Sequence, residues 1–369
     1  MAWFSVLRSA IFQPRHRLVS CVFGLVLAAG CVWGAVQLMR LTSNDHQWTV
    51  GSWMDGHAGT QLNQALGALP KQAEITRWTA ALHYRFLGDL GPQVVQGCPG
   101  WLFYRDGLRP QPGHTAVFAQ RMALARHWID VLERAGVRVV VSVVPDKSRI
   151  EAKHLCGLRM SPILERRFGE FQQALMAERV PVVDLRPALS ALPQAFYRTD
   201  VHMAPDGAQA AAGRVAEIAL PLLGGSGTQQ FESRRGAALQ PRMGDLIVLA
   251  GLEHVPDGWR PPIEHIVPER IEAVQAGGLL DEGPVAEVVL LGDSNGLRSE
   301  FAERLGRGLG RQIWNQSQDG GFFSGAMLSA LARRSQWPSG IKVVVWQFSE
   351  LSLSLPLSAD EHRALAALR

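Results

Sequence analysis

A chain of 369 residues with 47% hydrophobic and 19% charged residues can form one large or two modest globular domains, which excludes a disordered or low-complexity protein. The formal net charge of +4 comes from residues 1–40, which contain no acidic residue and four arginines: Arg8, Arg15, Arg17 and Arg40. The rest of the chain is nearly neutral and has no basic stripe with interleaved aromatic residues, so we expect no nucleic-acid partner.

Residues 18–39 form an uncharged apolar run of 22 residues, which is long enough to span a bilayer. Three arginines precede this run and one follows it, so the positive-inside rule predicts a cytoplasmic N-terminus and an exported remainder. A cleaved signal peptide is the alternative, and the stretch around Cys31 faintly resembles a lipoprotein cleavage box. Because the run is long for a signal peptide, we predict an uncleaved single-pass anchor within residues 1–44 and an exported domain over residues 45–369.

Two cysteines, Cys98 and Cys156, follow the apolar run, whereas Cys21 and Cys31 lie inside it. An oxidising compartment permits a disulfide bond between Cys98 and Cys156, which makes them a disulfide candidate. No spacing of cysteines and histidines resembles a zinc site, so we expect no bound metal.

The exported part starts with helical and loop-like residues 45–90, and "GCPGWLFYRDG" then predicts a short strand between turns. Helices and strands alternate after this point. A helix near residues 115–135 precedes "VRVVVSVVP", a β-branched run typical of a buried parallel strand. A helix near residues 161–178 precedes the short strand "VPVVDL", and Pro205 is suited to the first turn of the next helix.

Residues 224–284 are rich in glycine and proline, and we expect an irregular insertion or lid there. The strand "AEVVLLG", a helix near residues 297–309, the strand "RQIWN", a helix near residues 322–335 and the strand "IKVVVWQF" follow. Strands that alternate with helices predict a mainly parallel sheet covered on both faces. The fold prediction is therefore a three-layer α/β/α domain over about residues 90–360.

Candidate chemical groups follow the predicted strands, where open α/β sheets bind their ligands. The segment "YRTDVHMAPDG" holds Asp200 and His202, and "LGDSNG" holds Ser294. A carboxylate two residues from an imidazole can fix its tautomer, which leaves the other ring nitrogen to activate a serine hydroxyl. The alternatives are a surface or capping histidine and a serine that caps a helix.

The segment "TDVHMAPDGA", followed about ninety residues later by "VVLLGDSN", resembles the alginate O-acetyltransferase group, the AlgJ/AlgX-type SGNH-hydrolase-like proteins. In that group a T-D-x-H segment precedes G-D-S, whereas ordinary SGNH esterases have the reverse order. "GCPGWLFYRDG", "VVVSVVPDKSRIEAKHL" and "VVVWQFSELSL" resemble further segments of the group. The chain ends soon after the last strand, as in the single-domain AlgJ type.

The resemblance implies that Ser294 is the nucleophile, with its N–H as an oxyanion donor, that His202 is the general base, and that Asp200 orients the histidine. Weaker candidates for oxyanion or substrate contacts are Asn295, Lys147, Tyr197, Trp101, Asn315, Gly320 and Gly321, and for Lys147 a solvated loop is the alternative. Trp101 and Tyr197 could stack on sugar rings. Met203, Ala204 and Asn295 depart from the residues usual in the group, and no arginine follows Glu350 closely.

The resemblance further implies O-acetylation of an exopolysaccharide, such as alginate or cellulose, on the periplasmic side of a Gram-negative inner membrane. No cofactor is expected. The acetyl donor would come from a partner membrane-bound O-acyltransferase within a polymer synthesis and export complex. The alternatives are a polysaccharide acetyl esterase that uses the same three residues and a non-catalytic scaffold or binding subunit.

Overall fold

The computed structural model describes residues 14–43, 49–67, 72–274 and 285–368. The N-terminal part of the expected cytoplasmic tail, residues 1–13, and the end of the expected insertion, residues 275–284, lie outside the described residues. The chain divides into two compact units, Met1–Thr76 and Arg77–Arg369, and each is described by itself.

The first unit contains one long apolar helix. Helix α1 (Pro14–Ser43) includes Leu18–Gln37, a stretch long and apolar enough to cross a membrane, and none of it is buried by protein. The short helices α2 (Val50–Met54) and α3 (His57–Gly67) follow. A single such helix near the N-terminus fits an anchor or a signal sequence, so the topology remains a prediction.

The remaining elements alternate as the sequence predicts. In chain order they are α4 (Gln72–Leu87), β1 (Val94–Gln96), β2 (Leu102–Tyr104), α5 (His114–Arg134), β3 (Arg138–Val144), α6 (Lys147–Ile150), α7 (Pro162–Ala177), β4 (Val182–Val183), α8 (Arg186–Ser190), α9 (Pro205–Ala219), β5 (Phe231–Arg235), β6 (Gln240–Arg242), α10 (Asp245–Leu249), β7 (Glu264–Ile266), β8 (Glu269–Ala273), β9 (Val288–Leu291), α11 (Phe301–Leu309), β10 (Ile313–Asn315), α12 (Gly325–Ala332), β11 (Val343–Ser349) and α13 (Ala359–Ala366).

The central sheet has five parallel strands in the order β10-β9-β11-β3-β4. Alternate residues of each strand enter two separate apolar clusters: Val139 and Val141 of β3 lie in one, and Val140 and Val144 in the other. A fully buried side chain of this size contributes about 1.5–3 kcal/mol, so strands with apolar residues on both faces form the centre of the core.

Helices cover both faces of the sheet. Helices α5, α7 and α12 pack on one face, whereas α8, α9 and α11 pack on the other. The buried face of α9 is mainly alanine, which allows α11 to approach closely. A Cβ added at Gly308 of α11 would lie 3.1 Å from the Cβ of Ala216. The three-layer α/β/α prediction is confirmed.

The segment after residue 224 is more regular than expected. Strands β5 and β8 form one antiparallel pair, and β6 and β7 form another. The prediction of irregular structure is wrong for these strands. Their side chains are mostly exposed and lack the apolar alternation that marks a half-buried strand, so the sequence pattern did not indicate them. Between β6 and β7 along the chain, α10 buries Leu246 and Ile247 in an apolar cluster with Val94 and Leu102.

The carboxyl ends of β3, β9 and β11 meet at one edge of the sheet. β11 pairs with β3 up to Ser349 opposite Val144, and with β9 up to Trp346 opposite Leu291. The segments with Lys147 and Ser294 follow β3 and β9, and the segment with Asp200 and His202 lies in the loop between α8 and α9. The site segments meet at this edge of the sheet.

Candidate active site

Ser294 lies just beyond the carboxyl end of β9 and is half-buried. It begins a single 3₁₀ turn, Ser294–Gly296, whose N-cap is Asp293. One Asp293 carboxylate oxygen accepts the backbone N–H of Asn295 at 2.9 Å, and the other accepts the N–H of Ser349 at 2.7 Å. Because Asp293 supplies the cap, the capping alternative for Ser294 is wrong and its hydroxyl remains available.

A loop that follows β10 packs directly under this turn. A Cβ added at Gly292 or Gly296 would lie 2.4 or 2.2 Å from Ser317 Oγ, so only glycine fits at either position. Asn315 donates from Nδ2 to the Gly296 carbonyl at 3.0 Å and accepts the Ser317 N–H at Oδ1, also at 3.0 Å. The turn that begins with Ser294 is therefore held in place by residues that follow β9 and by residues at the end of β10 and just after it.

The loop before α9 carries Asp200 and His202. Asp200 is fully buried and His202 is 3% exposed. His202 Nδ1 lies 2.6 Å from Asp200 Oδ1, and its Nε2 lies 2.8 Å from Ser294 Oγ. A carboxylate only accepts hydrogen bonds, so neutral His202 carries its proton on Nδ1 and accepts the Ser294 hydroxyl at Nε2. The three side chains form one hydrogen-bonded chain.

Two elements outside the sheet hold this loop in place. Lys147 is 5% exposed, and its Nζ donates to the backbone carbonyls of Leu102 (2.6 Å), Arg198 (2.7 Å) and Asp200 (3.0 Å). Burial lowers the pKa of Lys147 to about 7. The solvated-loop alternative is therefore wrong for Lys147, because the side chain is buried and its three acceptors belong to the protein. Lys147 also lines the cleft beside Ser294, so a substrate contact stays a prediction.

Glu264 of β7, in the β6–β7 pair, binds the same loop that Lys147 contacts. Its carboxylate accepts the N–H of Arg198 at 2.9 Å and both the N–H and the hydroxyl of Thr199 at about 3.0–3.1 Å. The segment after residue 224 thus supports the histidine loop, although its sequence shows no sign of that role.

Two charged residues that the sequence analysis missed contact Asp200 and His202. Arg242 donates to Asp200 Oδ2 at 2.7 Å, and Asp245 Oδ2 lies 3.2 Å from His202 Nδ1. Both come from β6 and α10, in the segment expected to be irregular. No motif marks them, because their role depends on how β6 and α10 fold back onto the loop.

These charges set the electrostatics of the site. Burial alone would raise the pKa of Asp200, but hydrogen bonding and charge from His202, together with the charge of Arg242, hold it well below its usual range. Burial alone would lower the pKa of His202, but hydrogen bonds and charges from Asp200 and Asp245 raise it to about 9. The imidazolium is therefore stabilised strongly in this site.

Asp200, His202 and Asp245 also resemble a metal-ligand set, since their ligand atoms lie within 4.8 Å of one another. Zinc with bonds of about 2.0–2.2 Å in a tetrahedral site holds two ligand atoms about 3.3 Å apart. The Nδ1–Oδ1 distance of 2.6 Å is shorter than this and matches a shared proton. Arg242 on the other oxygen of Asp200 would also oppose a cation.

The oxyanion candidates have different surroundings. Asn295 is buried, and its backbone N–H and Nδ2 both donate to Asp293. Asn315 uses both ends of its amide for the turn, and the Gly321 N–H donates to the Gln318 carbonyl at 3.0 Å. These three expectations are therefore wrong for an oxyanion donor, because the donors already have protein acceptors.

Gly320 and Ser294 line the same cleft, and Gly320 has a left-handed backbone with φ +66°. Together with the Ser294 N–H it remains an oxyanion candidate.

Trp101 and Tyr197 do not offer faces to a sugar. Trp101 is 7% exposed and stacks on His154 with ring centroids 3.8 Å apart. Tyr197 is 5% exposed and lies under the Arg242 guanidinium, 4.0 Å from its ring centroid. The stacking prediction is wrong for both residues, since protein groups already cover their rings.

Cys98 and Cys156 form a disulfide bond in the structure, with Cα atoms 4.9 Å apart. The bond joins the turn before β2 to the turn after α6.

The triad opens into a cleft of about 510 Å³, within the range typical of small-ligand sites. Its wall is partly apolar and includes Val144, Pro145, Phe196, Val201, Val248, Leu249, Phe322 and Leu351. A larger depression of about 800 Å³ lies along β5, β8 and α11, and no triad residue is among the described residues that line it. The larger cavity is therefore separate from Asp200, His202 and Ser294. We assign the candidate active site to the smaller cleft, because His202 and Ser294 line it.

Comparison with known proteins places this geometry in a family. Residues 94–350 match the family profile "SGNH hydrolase-like domain, acetyltransferase AlgX". The chain is 28% identical to "Probable alginate O-acetylase AlgJ" of Azotobacter vinelandii, over 78% of this chain and 77% of that protein. It is 26% identical to the protein of the same name from Pseudomonas putida, over 87% and 90% of the two chains.

A solved structure, "O-Acetyltransferase Domain of Pseudomonas putida AlgJ", superposes with a TM-score of 0.65 at 26% identity, covering 75% of this chain and 99% of that one. The matched residues 94–350 contain the five-stranded sheet, Asp200, His202 and Ser294. The chain therefore belongs to the SGNH hydrolase-like, AlgX acetyltransferase family.

Proposed function

We propose that this protein is an O-acetyltransferase that moves an acetyl group through an acetyl-serine on Ser294 onto hydroxyls of an exopolysaccharide in the periplasm. The observation that carries this proposal is the continuous hydrogen-bonded chain from Asp200 through His202 to Ser294, at the edge of a cleft. The relatives named as probable alginate O-acetylases support acetylation of a polysaccharide.

In the first half-reaction, Ser294 Oγ attacks the carbonyl carbon of the acetyl donor while its proton passes to His202 Nε2. The tetrahedral intermediate collapses, the leaving group departs with that proton, and an acetyl-serine remains. Asp200 keeps the proton of His202 on Nδ1 and stabilises the imidazolium while it exists, because the buried carboxylate lies 2.6 Å away.

In the second half-reaction, a sugar hydroxyl attacks the acetyl-serine, and its proton passes to the same Nε2. Collapse of the second tetrahedral intermediate breaks the bond to Ser294 Oγ, which recovers its proton from His202. The backbone N–H groups of Ser294 and Gly320 are the proposed oxyanion donors. One such donor contributes about 3–4 kcal/mol to transition-state stabilisation.

The proposed setting follows from the N-terminal helix. Residues 1–44 would hold the protein in the inner membrane, with the catalytic domain in the periplasm. The donor would be supplied by a membrane-bound O-acyltransferase of the polymer synthesis complex. An esterase would use the same three residues, with water in place of the sugar hydroxyl.

The test is a transfer assay on the full-length protein in detergent. Nitrophenyl acetate supplies the acetyl group, and acetylated alginate or cello-oligosaccharide is measured by mass spectrometry. We expect acetylated oligosaccharide in excess of free acetate, and a loss of at least about 10³-fold for Ser294→Ala. Ser233→Ala, which alters an exposed serine on β5, is the matched control and should retain full activity.

Release of acetate alone, with deacetylation of acetylated oligosaccharide, would replace the transferase by the esterase. Full polymer acetylation in cells that carry only Ser294→Ala would leave the scaffold as the function.

A further inference from the structure

Asp245 is a second carboxylate at the catalytic histidine. Its Oδ2 lies 3.2 Å from His202 Nδ1, the same nitrogen that Asp200 contacts at 2.6 Å. The two acids differ in exposure, since the side chain of Asp200 is 0% exposed and that of Asp245 is 46% exposed. Asp245 and His202 both line the active-site cleft.

The backbone fixes Asp245 in this place. It is the first residue of α10, and its N–H points to Asp200 Oδ2 at 3.3 Å. The preceding residue is Gly244, where an added Cβ would lie 2.1 Å from the Thr199 carbonyl. Leu246 donates its N–H to that same carbonyl at 3.1 Å. Helix α10 therefore docks directly on the histidine loop, and the contact does not depend on a mobile side chain alone.

The two carboxylates cannot share one proton equally. Nδ1 has a single N–H, and the shorter distance assigns it to Asp200. Asp245 then acts mainly through its charge, which favours the imidazolium over the neutral ring. Arg242 partly neutralises Asp200 through its other oxygen. Among the described contacts of His202, Asp245 has no such arginine close to it, so its charge acts on the histidine without this compensation.

We propose that Asp245 is a positioning residue that acts through His202: its carboxylate stabilises the imidazolium formed during acyl transfer and sets the pH above which His202 works as a base. This inference rests on the proposed function. The charged groups that face the histidine or its loop from the surrounding elements include Asp200 from the loop, Asp245 from α10, Arg242 from β6, Glu264 from β7, Asp293 from the serine turn and Lys147 from α6.

The effect of removing the charge has a defined sign. Burial lowers the pKa of His202, while Asp200 and Asp245 together raise it to about 9, so removal of one acid lowers it. An opposite charge within a few ångströms shifts a pKa by about 1–3 units, and half-exposure of Asp245 favours the lower end of this range. In Asp245→Asn we expect the acid limb of the pH profile of kcat/KM to move about 1 pH unit toward lower pH.

The same change should lower the plateau at high pH severalfold, because the imidazolium of the transition state loses a partner. Asp245→Glu keeps the charge and should restore the inflection toward its original pH. The matched control is Asp257→Asn, which removes an 89%-exposed carboxylate from the same segment of the chain. It should leave both the inflection and the plateau unchanged.

The experiment uses full-length protein in detergent with nitrophenyl acetate, and a parallel titration of His202 by ¹⁵N-histidine NMR. The inference is overturned if the inflection of the kcat/KM profile and the midpoint of the His202 titration are the same in Asp245→Asn as in the wild type. Loss of activity on treatment with EDTA and its return with Zn²⁺ also overturns it, since the three residues would then bind an ion. If the wild type does not turn over the ester, the proposed function fails, while the NMR titration still decides the role of Asp245.

Discussion

Asn315 should stabilise the serine turn rather than donate to the oxyanion, and substitution separates these two roles. Its amide makes two hydrogen bonds of 3.0 Å, to the Gly296 carbonyl and from the Ser317 N–H. A typical intramolecular hydrogen bond contributes about 1 kcal/mol, so Asn315→Ala should lower the free energy of unfolding by about 2 kcal/mol. For a domain of this size, that corresponds to a fall in Tm of about 3 °C.

The assay is thermal and urea unfolding of the full-length protein in detergent, together with kcat for nitrophenyl acetate. Asn315→Asp keeps the acceptor oxygen but places a second, charged oxygen opposite the Gly296 carbonyl, so it should lower the free energy of unfolding at least as much as Asn315→Ala. The reasoning is refuted if Asn315→Ala leaves Tm unchanged and lowers kcat by about 10²–10³-fold, which is the signature of a lost oxyanion donor.

Three further outcomes are expected. Arg242→Gln removes a charge that keeps the pKa of Asp200 low, so the variant should lose part of the stability that this carboxylate contributes above the pKa of the unfolded chain. Because it starts from a lower stability, its acid-unfolding midpoint, followed by circular dichroism, should lie at a higher pH than that of the wild type. Replacing Cys98 and Cys156 together by serine should lower the free energy of unfolding by about 4 kcal/mol, given the 58-residue separation, and reductant should then have no further effect on the urea midpoint. A reporter active only in the periplasm, fused after residue 45, should give signal, and activity of a cytoplasmic reporter at that point would contradict the proposed topology.

The strands of the sheet and the meeting of Asp200, His202 and Ser294 could be predicted from sequence, because both depend on local patterns. Runs such as residues 138–144 have apolar residues on both faces, which is specific to a buried parallel strand. Asp200 and His202 lie two residues apart in one loop, and Ser294 follows a strand, so the topology alone brings them to one edge of the sheet.

The supporting residues could not be predicted in this way. Arg242 reaches Asp200 from β6, a strand that is largely exposed and has no apolar alternation, and Asp245 reaches the histidine from the short helix α10. Lys147 was ambiguous in sequence because its role depends on three backbone carbonyls, and a carbonyl has no sequence signature. Trp101 likewise offered a free ring in sequence, whereas His154 covers it in the fold.

The most direct test of the account is detection of the acetyl-enzyme. Full-length protein is mixed with nitrophenyl acetate, quenched in acid within the first turnover, digested and mapped by mass spectrometry. The account predicts one added acetyl group on the peptide that contains Ser294, much less of it in His202→Ala, and none at that position in Ser294→Ala. Turnover without acetylation of that peptide, or with the acetyl group on another residue, would contradict the claim that Ser294 is the nucleophile.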